Sequence, residues 1–274
     1  MAEASEPRGF VLASSGEGFA PIAFHAGQYL REVHPDALID FYTDEEGLDL
    51  GPFDRIVKLE RSWHRPKFEA LRRTRFERAI YIDTDVITLA DLSDVFDVLD
   101  RFDIAGAHAD RRGNAFNSRG WRSSVPPAFP QMNSGVMGVK KSPEILKLWQ
   151  DTEAALAEPD QKKDQIPLRE LLYESDLRIA TLPVEYNLVS QRQIDAMKVG
   201  YAAAPRVLHL HRLHKHLRRD MPQETDLSAL LGHGRLARIA KLLEADVTLE
   251  GRNVADLSRW RQGWRARLAD LTVR

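Results

Sequence analysis

The chain has 274 residues and no cysteine, so disulfide-stapled folds are excluded and any metal site must use Asp, Glu, His or Asn side chains. Charged residues make up 29% of the sequence and nearly cancel, at a formal net charge of −2, which gives no indication of a nucleic-acid partner. The N-terminal segment MAEASEPRGF lacks the apolar stretch of a signal peptide, and no run approaches the roughly 18 apolar residues of a membrane span. We therefore expect a soluble, cytoplasmic protein with no transmembrane segment.

Strand-like and helix-like segments alternate along the first part of the chain. The alternation predicts βαβ units and a mostly parallel sheet with helices on both faces, an α/β fold. Ligands of such sheets bind at the carboxyl ends of the strands. Polar residues follow three of the predicted strands, so we expect them to converge on one edge: Ser14 and Ser15, Asp44, and Asp83 with Asp85. The predicted strands are 9–15, 37–45, 54–60, 79–89 and 103–108, and the predicted helices are 21–35 and 66–77.

The middle of the chain contains a long polar stretch, residues 109–131, that is rich in Gly, Asn, Ser, Pro and Arg. A loop of this length in a compact domain is typical of a lid or a binding loop, and the alternative is a plain exposed loop. Strand-like and helical patterns then resume. They predict strands at 131–142 and 206–210 and helices at 143–158, opened by Ser142 and Pro143, and at 163–175.

The last part of the chain changes character to two amphipathic helical patterns with a basic face. They cover residues 225–247 and 253–273, with Thr225 and Asn253 as predicted N-caps. We predict a division into a domain of residues 1–220 and a helical appendage of residues 221–274. A basic helical surface can form a homodimer contact or attach to an anionic membrane, and the simpler alternative is that its apolar side packs on the sheet domain.

Asp83 and Asp85 lie one residue apart in the apolar segment AIYIDTDVITL. If the strand continues through them, both carboxylates point to the same face and repel each other unless a cation compensates. A hard divalent ion such as Mg²⁺ or Mn²⁺ accepts carboxylate oxygens and often also holds substrate phosphates. The alternative is that the strand ends at Asp83 and both acids cap a turn in water.

Four histidines occur in the segment VLHLHRLHKH, residues 207–216. On a strand, His209 and His211 share one face, and one of them could supply an imidazole ligand for the same ion. The alternative is a solvated basic loop in which most of these histidines have no role.

Four short motifs together resemble glycosyltransferase family 8, the GT-A-fold group that includes glycogenin and bacterial lipopolysaccharide galactosyltransferases. YIDTD (81–85) resembles its Asp-X-Asp motif, and MNSGVMGVKKS (132–142) resembles its Asn-Ala/Ser-Gly-Val stretch. KDQ (163–165) resembles its Asp-Gln motif, and VLHLHRLHK (207–215) resembles its His-X-X-Gly-X-X-Lys-Pro-Trp segment. The motifs follow the family's order. The sequence departs from the last of these motifs at three positions. Arg212 replaces its glycine, and His216 and Leu217 replace its Pro-Trp, which affects the expected position of the diphosphate near Lys215.

The resemblance implies a Rossmann-like GT-A domain that transfers a hexose from a nucleotide-diphosphate sugar, with UDP expected, and that retains the anomeric configuration. It implies a metal site in which Mn²⁺ or Mg²⁺ is held by Asp83, Asp85 and His209, where Asp85 binds the metal directly and Asp83 reaches either the ribose of the nucleotide or the metal. It further implies that Lys215 neutralises the diphosphate, whose charge grows as the sugar leaves. The acceptor, a glycan, lipid-linked sugar, protein or small molecule, is not specified by any of these motifs.

The resemblance also implies contacts with the rest of the donor. The nucleobase would lie in the loop after the first strand, where Phe19 either stacks on it or packs in the core. Lys67 faces the same edge and could also contact the nucleotide. The donor sugar would be approached by Asn133, Ser134 and Gly135, with Asp164 binding its hydroxyls and Gln165 near the anomeric carbon. An amide is a poor nucleophile, so a front-face reaction fits these residues better than a double displacement. The nucleobase loop consists of Ala13, Ser14 and Phe19.

Three other classes remain as alternatives. In a haloacid-dehalogenase-type phosphatase Asp83 would be the nucleophile, but its motif would come near the start of the chain and a late strand would end in acids, not histidines. A sugar nucleotidyltransferase would carry a basic glycine-rich loop after the first strand, whereas GEGF (16–19) carries an acid and no lysine. The third alternative is a non-catalytic binding protein that keeps the fold of an enzyme but has lost its activity.

Overall fold

The structure, a computed structural model, describes residues 6–110, 113, 119–129, 131–214 and 224–258. Nine strands occur in these ranges. Seven of them form one mixed sheet and two form a separate ribbon. The strands are β1 (Glu6–Ser14), β2 (Ile39–Thr43), β3 (Arg55–Lys58), β4 (Phe76–Ile82), β5 (Val86–Thr88), β6 (Ile104–His108), β7 (Met132–Lys140), β8 (Ile179–Leu182) and β9 (Val207–His209).

The large sheet has the order β3-β2-β1-β4-β7-β6-β8. Its pairs are parallel except at β7, which runs antiparallel to both of its neighbours, β4 and β6. The prediction of a mostly parallel sheet with flanking helices is therefore confirmed. Because β7 is reversed, its first residues lie beside the carboxyl end of β4, and this places Asn133 and Ser134 next to Asp83.

The predicted helices 21–35, 143–158 and 163–175 are present within two residues of their predicted bounds, whereas the predicted helix 66–77 ends at Arg73 because the chain becomes extended at Thr74 and enters β4. Pro21 lies in the first turn of the first helix, and the side chain of Ser142 accepts a hydrogen bond from the backbone of Ile145 at the start of the fourth. The helices are α1 (Ala20–Val33), α2 (Lys67–Arg73), α3 (Asp94–Val98), α4 (Pro143–Leu156), α5 (Gln165–Tyr173), α6 (Gln191–Ala196), α7 (Leu227–Leu231) and α8 (His233–Ala245).

The predicted strand over residues 79–89 is wrong, because it is two strands in two different sheets. β4 ends at Ile82 and the chain turns through Asp83, Thr84 and Asp85 before β5 begins. β5 leaves the large sheet and pairs antiparallel with β9, with Val86 opposite His209. The alternative that the acids cap a turn in water is also incorrect for Asp85, which is 4% exposed. The turn instead buries Asp85 and leaves Asp83 half-buried.

The predicted helix over residues 225–247 is divided at Gly232, whose φ of 83° lies in the left-handed region that favours glycine. The N-cap is Asp226, whose carboxylate accepts a hydrogen bond from the backbone of Ser228, and not Thr225. Asn253 is not an N-cap either, because residues 254–257 are not helical, and its side chain instead donates to the carbonyl of Val33. The rest of the second predicted helix, residues 259–273, lies outside the described residues.

The C-terminal helices share a hydrophobic core with the two-stranded ribbon and α1. Leu230 and Ile239 pack in one buried cluster with Ile22 and Leu208. Two further clusters fill the two faces of the large sheet and include Phe41 on one side and Trp149 on the other. No helix among the described residues has the length and apolar character that a membrane crossing requires. The division of the chain at residue 220 stays a prediction.

Candidate functional site

An open cleft of about 880 Å³ lies at the carboxyl ends of β1 and β4, at the edge where the sequence predicts a ligand. This volume is within the range of about 300–1,000 Å³ that is typical of small-molecule sites. Gly135 lies directly behind His209, and Lys215 falls outside the described residues. The predicted site residues that line the cleft are Ala13, Ser14, Phe19, Lys67, Asp83, Asp85, Asn133, Ser134, Asp164, Gln165 and His209.

The end of β1 is fixed to the end of β2 through Asp44. The carboxylate of Asp44 accepts hydrogen bonds from the hydroxyl of Ser15 at 2.8 Å and the backbone N–H of Gly16 at 2.9 Å. Burial alone would raise the pKa of Asp44, but these bonds and one from Ser62 lower it below its usual value. The predicted convergence of these strand ends is confirmed, and the loop after β1 is held in a defined conformation.

Asp83 is compensated by the protein's own groups. Its carboxylate lies 2.8 Å from the ammonium nitrogen of Lys67 and accepts a hydrogen bond of 2.8 Å from the hydroxyl of Tyr81. Its backbone N–H donates to the carbonyl of Gly135 at 2.8 Å. Sequence reasoning considered only a metal ion as the compensating charge and missed Tyr81. The available signal was the strand period, because Tyr81 lies two residues before Asp83 and so on the same face.

Lys67 connects Asp83 with the residues predicted to contact the donor sugar. Its ammonium group donates to the carbonyl and the hydroxyl of Ser134, at 3.1 and 3.2 Å, and lies 3.7 Å from Asp164. The hydroxyl of Ser134 donates to Asp164, and Arg65 lies 3.5 Å from the same carboxylate. Burial would raise the pKa of Asp164, but Lys67 and Arg65 together lower it. This side of the cleft is therefore a connected ionic network.

Three imidazoles surround Asp85. One carboxylate oxygen lies 3.0 Å from Nε2 of His209, and the other lies 3.0 Å from Nδ1 of His211 and 3.5 Å from Nδ1 of His214. Burial would raise the pKa of Asp85, but attraction from His209 and hydrogen bonds from His209 and His211 hold it well below its usual range. His211 and His214 lie on a 3-10 turn, His211–His214, that directly follows β9. The sequence predicted a shared strand face for His209 and His211 and assigned no role to His214.

His209 is oriented by a residue that sequence reasoning missed. Its Nδ1 lies 3.1 Å from the amide oxygen of Asn187, so its Nε2 faces Asp85. Burial would lower the pKa of His209, but Asp85 outweighs burial and raises it. The ring also needs Gly135, because a Cβ at that position would lie 2.4 Å from the ring of His209 and 3.1 Å from Asp83. Asn187 lies in a 3-10 turn over Val184–Asn187, and no local sequence pattern connects it with His209.

The donor atoms of Asp85, His209 and His211 all lie within 4.8 Å of one another. Carboxylate and imidazole donors converging on one point fit a divalent metal ion, and a hydrogen bond to the outer nitrogen of a ligating histidine is typical of such sites. The cluster differs from the predicted set in one member. The nearest oxygen of Asp83 is 4.0 Å from Nε2 of His209, whereas His211 contacts Asp85 directly.

Phe19 lines the cleft and also packs against the core of α1 and the ribbon. Its ring meets that of His214 edge-on at 5.6 Å between centroids. Both readings of Phe19 from the sequence are thus compatible with its position, and its contact with a nucleobase stays a prediction.

The described part of the long loop is attached to α5 rather than free. The carboxylate of Glu170 accepts hydrogen bonds from the backbone N–H groups of Trp121, Arg122 and Ser123, at 2.7 to 3.1 Å. Residues 111–112, 114–118 and 130 lie outside the described residues, and the role of this loop as a lid or acceptor surface stays a prediction.

Comparison with known proteins identifies the fold. No family model and no curated protein matches the sequence. The structure of the galactosyltransferase LgtC in complex with donor and acceptor sugar analogs matches 88% of this chain and 99% of its own, at 13% identity and a TM-score of 0.57. The apo-form glycosyltransferase GlyE of Streptococcus pneumoniae matches 96% of this chain at 15% identity and a TM-score of 0.56.

The chain spans the whole of LgtC but only 64% of GlyE and 50% of a third match, the bifunctional glycosyltransferase WbbM, at 14% identity and a TM-score of 0.51. At such identities the likeness establishes the architecture and leaves the chemistry to the site. The chain therefore has the GT-A fold of glycosyltransferases, as its sequence motifs predict.

Proposed function

We propose that the chain is a metal-dependent, retaining glycosyltransferase that moves a hexose from a UDP-sugar to an acceptor. The observation that carries the proposal is the cluster of metal-ligating side chains around Asp85, placed in the ligand cleft of a GT-A fold. The similar protein LgtC has been crystallised with donor and acceptor sugar analogs. The metal-ligating cluster and the structural similarity to LgtC together favour a transferase over the phosphatase and the nucleotidyltransferase that the sequence left open.

Asp83, Asp85 and His209 are the proposed ligands of a Mn²⁺ or Mg²⁺ ion. Such an ion neutralises the charge that develops on a departing nucleoside diphosphate. Lys215 is proposed to bind the same diphosphate. The loop after β1 is proposed to hold the nucleobase through Ala13, Ser14 and Phe19, and the hydrogen bonds of Asp44 support this role because they fix the loop before the nucleotide binds.

The ionic network of Lys67 forms the proposed donor-sugar side of the cleft. Asn133, Ser134 and Gly135 lie near the start of β7. Lys67 and Ser134 hold one oxygen of Asp164, and the other, 3.5 Å from Arg65, is proposed to accept from a sugar hydroxyl. Gln165 begins α5 beside it and lines the cleft. LgtC has been studied with an active-site glutamine replaced by glutamate. We propose that Gln165 lies near the anomeric carbon in a front-face reaction.

The test is a thermal-shift panel of nucleoside diphosphates and nucleotide sugars, each with Mn²⁺, with Mg²⁺ and with chelator. A ligand at about 100 times its Kd stabilises the fold by roughly 2.7 kcal/mol. We expect a metal-dependent shift with UDP and UDP-sugars that Asp85→Ala abolishes and Asp36→Asn, at an exposed position, preserves. A shift with no nucleotide under any condition would contradict the proposal, and a beryllium fluoride adduct on Asp83 would then identify a phosphatase.

A further inference from the structure

The turn His211–His214 adds imidazoles that the three proposed metal ligands do not require. His211 and His214 both face the oxygen of Asp85 that His209 does not contact. The described residues therefore surround one buried carboxylate with three histidine nitrogens at 3.0 to 3.5 Å. The candidate ligand set therefore contains one carboxylate, that of Asp85, and several imidazole nitrogens. Asp83, the other carboxylate of the motif, has Lys67 and Tyr81 as its own partners.

The composition of this ligand set indicates which metals it suits. Carboxylate, carbonyl and water oxygens suit Mg²⁺, Ca²⁺ and Mn²⁺, whereas imidazole suits later transition ions such as Fe²⁺, Ni²⁺, Cu²⁺ and Zn²⁺. Mg²⁺ also gives up its water ligands reluctantly and usually depends on substrate phosphates for its remaining bonds. A cluster of one carboxylate and two or three imidazoles thus discriminates against Mg²⁺ and can hold a transition ion without a phosphate ligand.

The turn is held in place by contacts away from the cleft. The backbone N–H of Leu210 donates to the carbonyl of Asp85 at 2.7 Å, and Leu213 is buried in the core that includes α7 and α8. The guanidinium of Arg212 donates to the carbonyl of Leu230 in α7 at 3.2 Å. Arg212 stands at the glycine of the family motif, so here the departure from the motif fastens the turn to the C-terminal helices.

We propose that Asp85, His209 and His211 form a metal site that binds a transition ion in the absence of nucleotide and prefers it to Mg²⁺, with His214 beside it. The role of the ion in catalysis rests on the proposed function, whereas the binding of the ion by these residues does not depend on it. His211 is the residue that distinguishes it, since the ligand set expected from the family motifs does not include that side chain.

The experiment is a calorimetric titration of the metal-stripped full chain with ZnCl₂, MnCl₂ and MgCl₂, without nucleotide. We expect the Kd to fall in the order Mg²⁺, Mn²⁺, Zn²⁺, because nitrogen and oxygen sites follow this affinity series among transition ions. His211→Ala should weaken Zn²⁺ and Mn²⁺ binding by about 10- to 100-fold, at least the loss caused by removing a residue that supports a ligand. His233→Ala, at an exposed position in α8, is the matched control and should have no effect.

A second readout uses the unaltered protein, so that it does not depend on the folding of a variant. Co²⁺ bound by imidazoles at low coordination number absorbs visible light much more strongly than hydrated Co²⁺, and Zn²⁺ should displace it with loss of this absorption. Equal affinities for Mg²⁺ and Zn²⁺, or unchanged Zn²⁺ binding in His211→Ala, would overturn the inference even if UDP binding is observed. A metal site with these properties but no nucleotide binding would instead contradict the proposed function alone.

Discussion

The cleft has two halves, which compensate a carboxylate charge in different ways. The Lys67 half consists of Lys67, Tyr81, Asp83, Ser134 and Asp164, and the histidine half consists of Asp85, His209, His211 and His214. Asp83 contacts an ammonium group and a phenol hydroxyl that belong to the large sheet and α2, whereas Asp85 contacts imidazoles carried by the ribbon and the turn after it. Lys67 is a fixed cation that cannot be exchanged, and imidazoles can give their nitrogens to a metal ion. Two carboxylates one residue apart are thus compensated in different ways, Asp83 by protein groups that stay in place and Asp85 by imidazoles that can share a metal ion with it.

The largest expected effect is on the Lys67 half. Lys67→Met removes the ammonium group that faces Asp83 and Asp164, and breaking a buried ion pair from one side typically costs about 3–5 kcal/mol of unfolding free energy. Chemical denaturation would measure the loss. Lys58→Met, which removes an exposed pair with Glu46, should have no measurable effect. An unchanged midpoint for Lys67→Met would show that the two halves do not differ as described.

Gly135 is the point where the halves meet, and Gly135→Ala should disturb both. The added Cβ would lie 2.4 Å from the ring of His209, so the ring must move, and overpacking of this kind costs about 1–3 kcal/mol. We expect a lower melting temperature and weaker metal binding by calorimetry. Gly234→Ala in α8, where nothing lies within 4 Å of the new Cβ, should leave metal binding intact and stabilise the helix. Unimpaired binding by Gly135→Ala would mean that His209 does not need its described position.

Asn187→Ala should affect the histidine half alone. It removes the acceptor 3.1 Å from Nδ1 of His209, and loss of such a supporting hydrogen bond weakens metal binding by about 10-fold. Asn187→Asp keeps an acceptor and should restore most of the affinity. Equal losses in both variants would indicate a packing role for Asn187 in place of an orienting one.

The smallest effect is a pH dependence of the Lys67 half. Because Lys67 and Arg65 lower the pKa of Asp164, its ionised form stabilises the folded state fully above the ordinary carboxyl value of about 3.9. This contribution is lost as the pH falls through the lowered native pKa. The stability difference between the wild type and Asp164→Asn should therefore be constant at neutral pH and shrink under acidic conditions. Urea denaturation at several pH values would show it, and a difference that grows in acid would contradict the described network.

The sequence predicted the parts of the site that depend on local patterns. Strand and helix periods placed Ser15, Asp44 and the two acids at one edge of a parallel sheet, and the ordered motifs predicted the GT-A fold. These signals are local because strand alternation and helix caps involve residues a few positions apart.

What the sequence missed depends on contacts between distant segments. Nothing near residue 82 indicates that the strand changes sheets there, because the partner of β5 lies more than a hundred residues further on, in β9. The pairing of Asn187 with His209 and the reversal of β7 are likewise decided by tertiary packing. The amphipathic period continues on both sides of Gly232, so periodicity predicts one helix where the structure has two.

The pairing of β5 with β9 has a consequence for the order in which the molecule matures on the ribosome. All residues of the Lys67 half are synthesised before residue 165, so this half can assemble while the chain is still growing. They are Lys67, Tyr81, Asp83, Ser134 and Asp164. The histidine half needs β9 and the turn after it, and also the core supplied by α7 and α8. The backbone N–H of Ala255 also donates to the carbonyl of Leu89, just after β5, and so attaches the C-terminal segment to the histidine half. Domains form as their segments emerge, at about 5–20 residues per second. The histidine half therefore forms later than the Lys67 half, and a nascent chain cannot complete its metal site in the described form before residue 255 has left the ribosome.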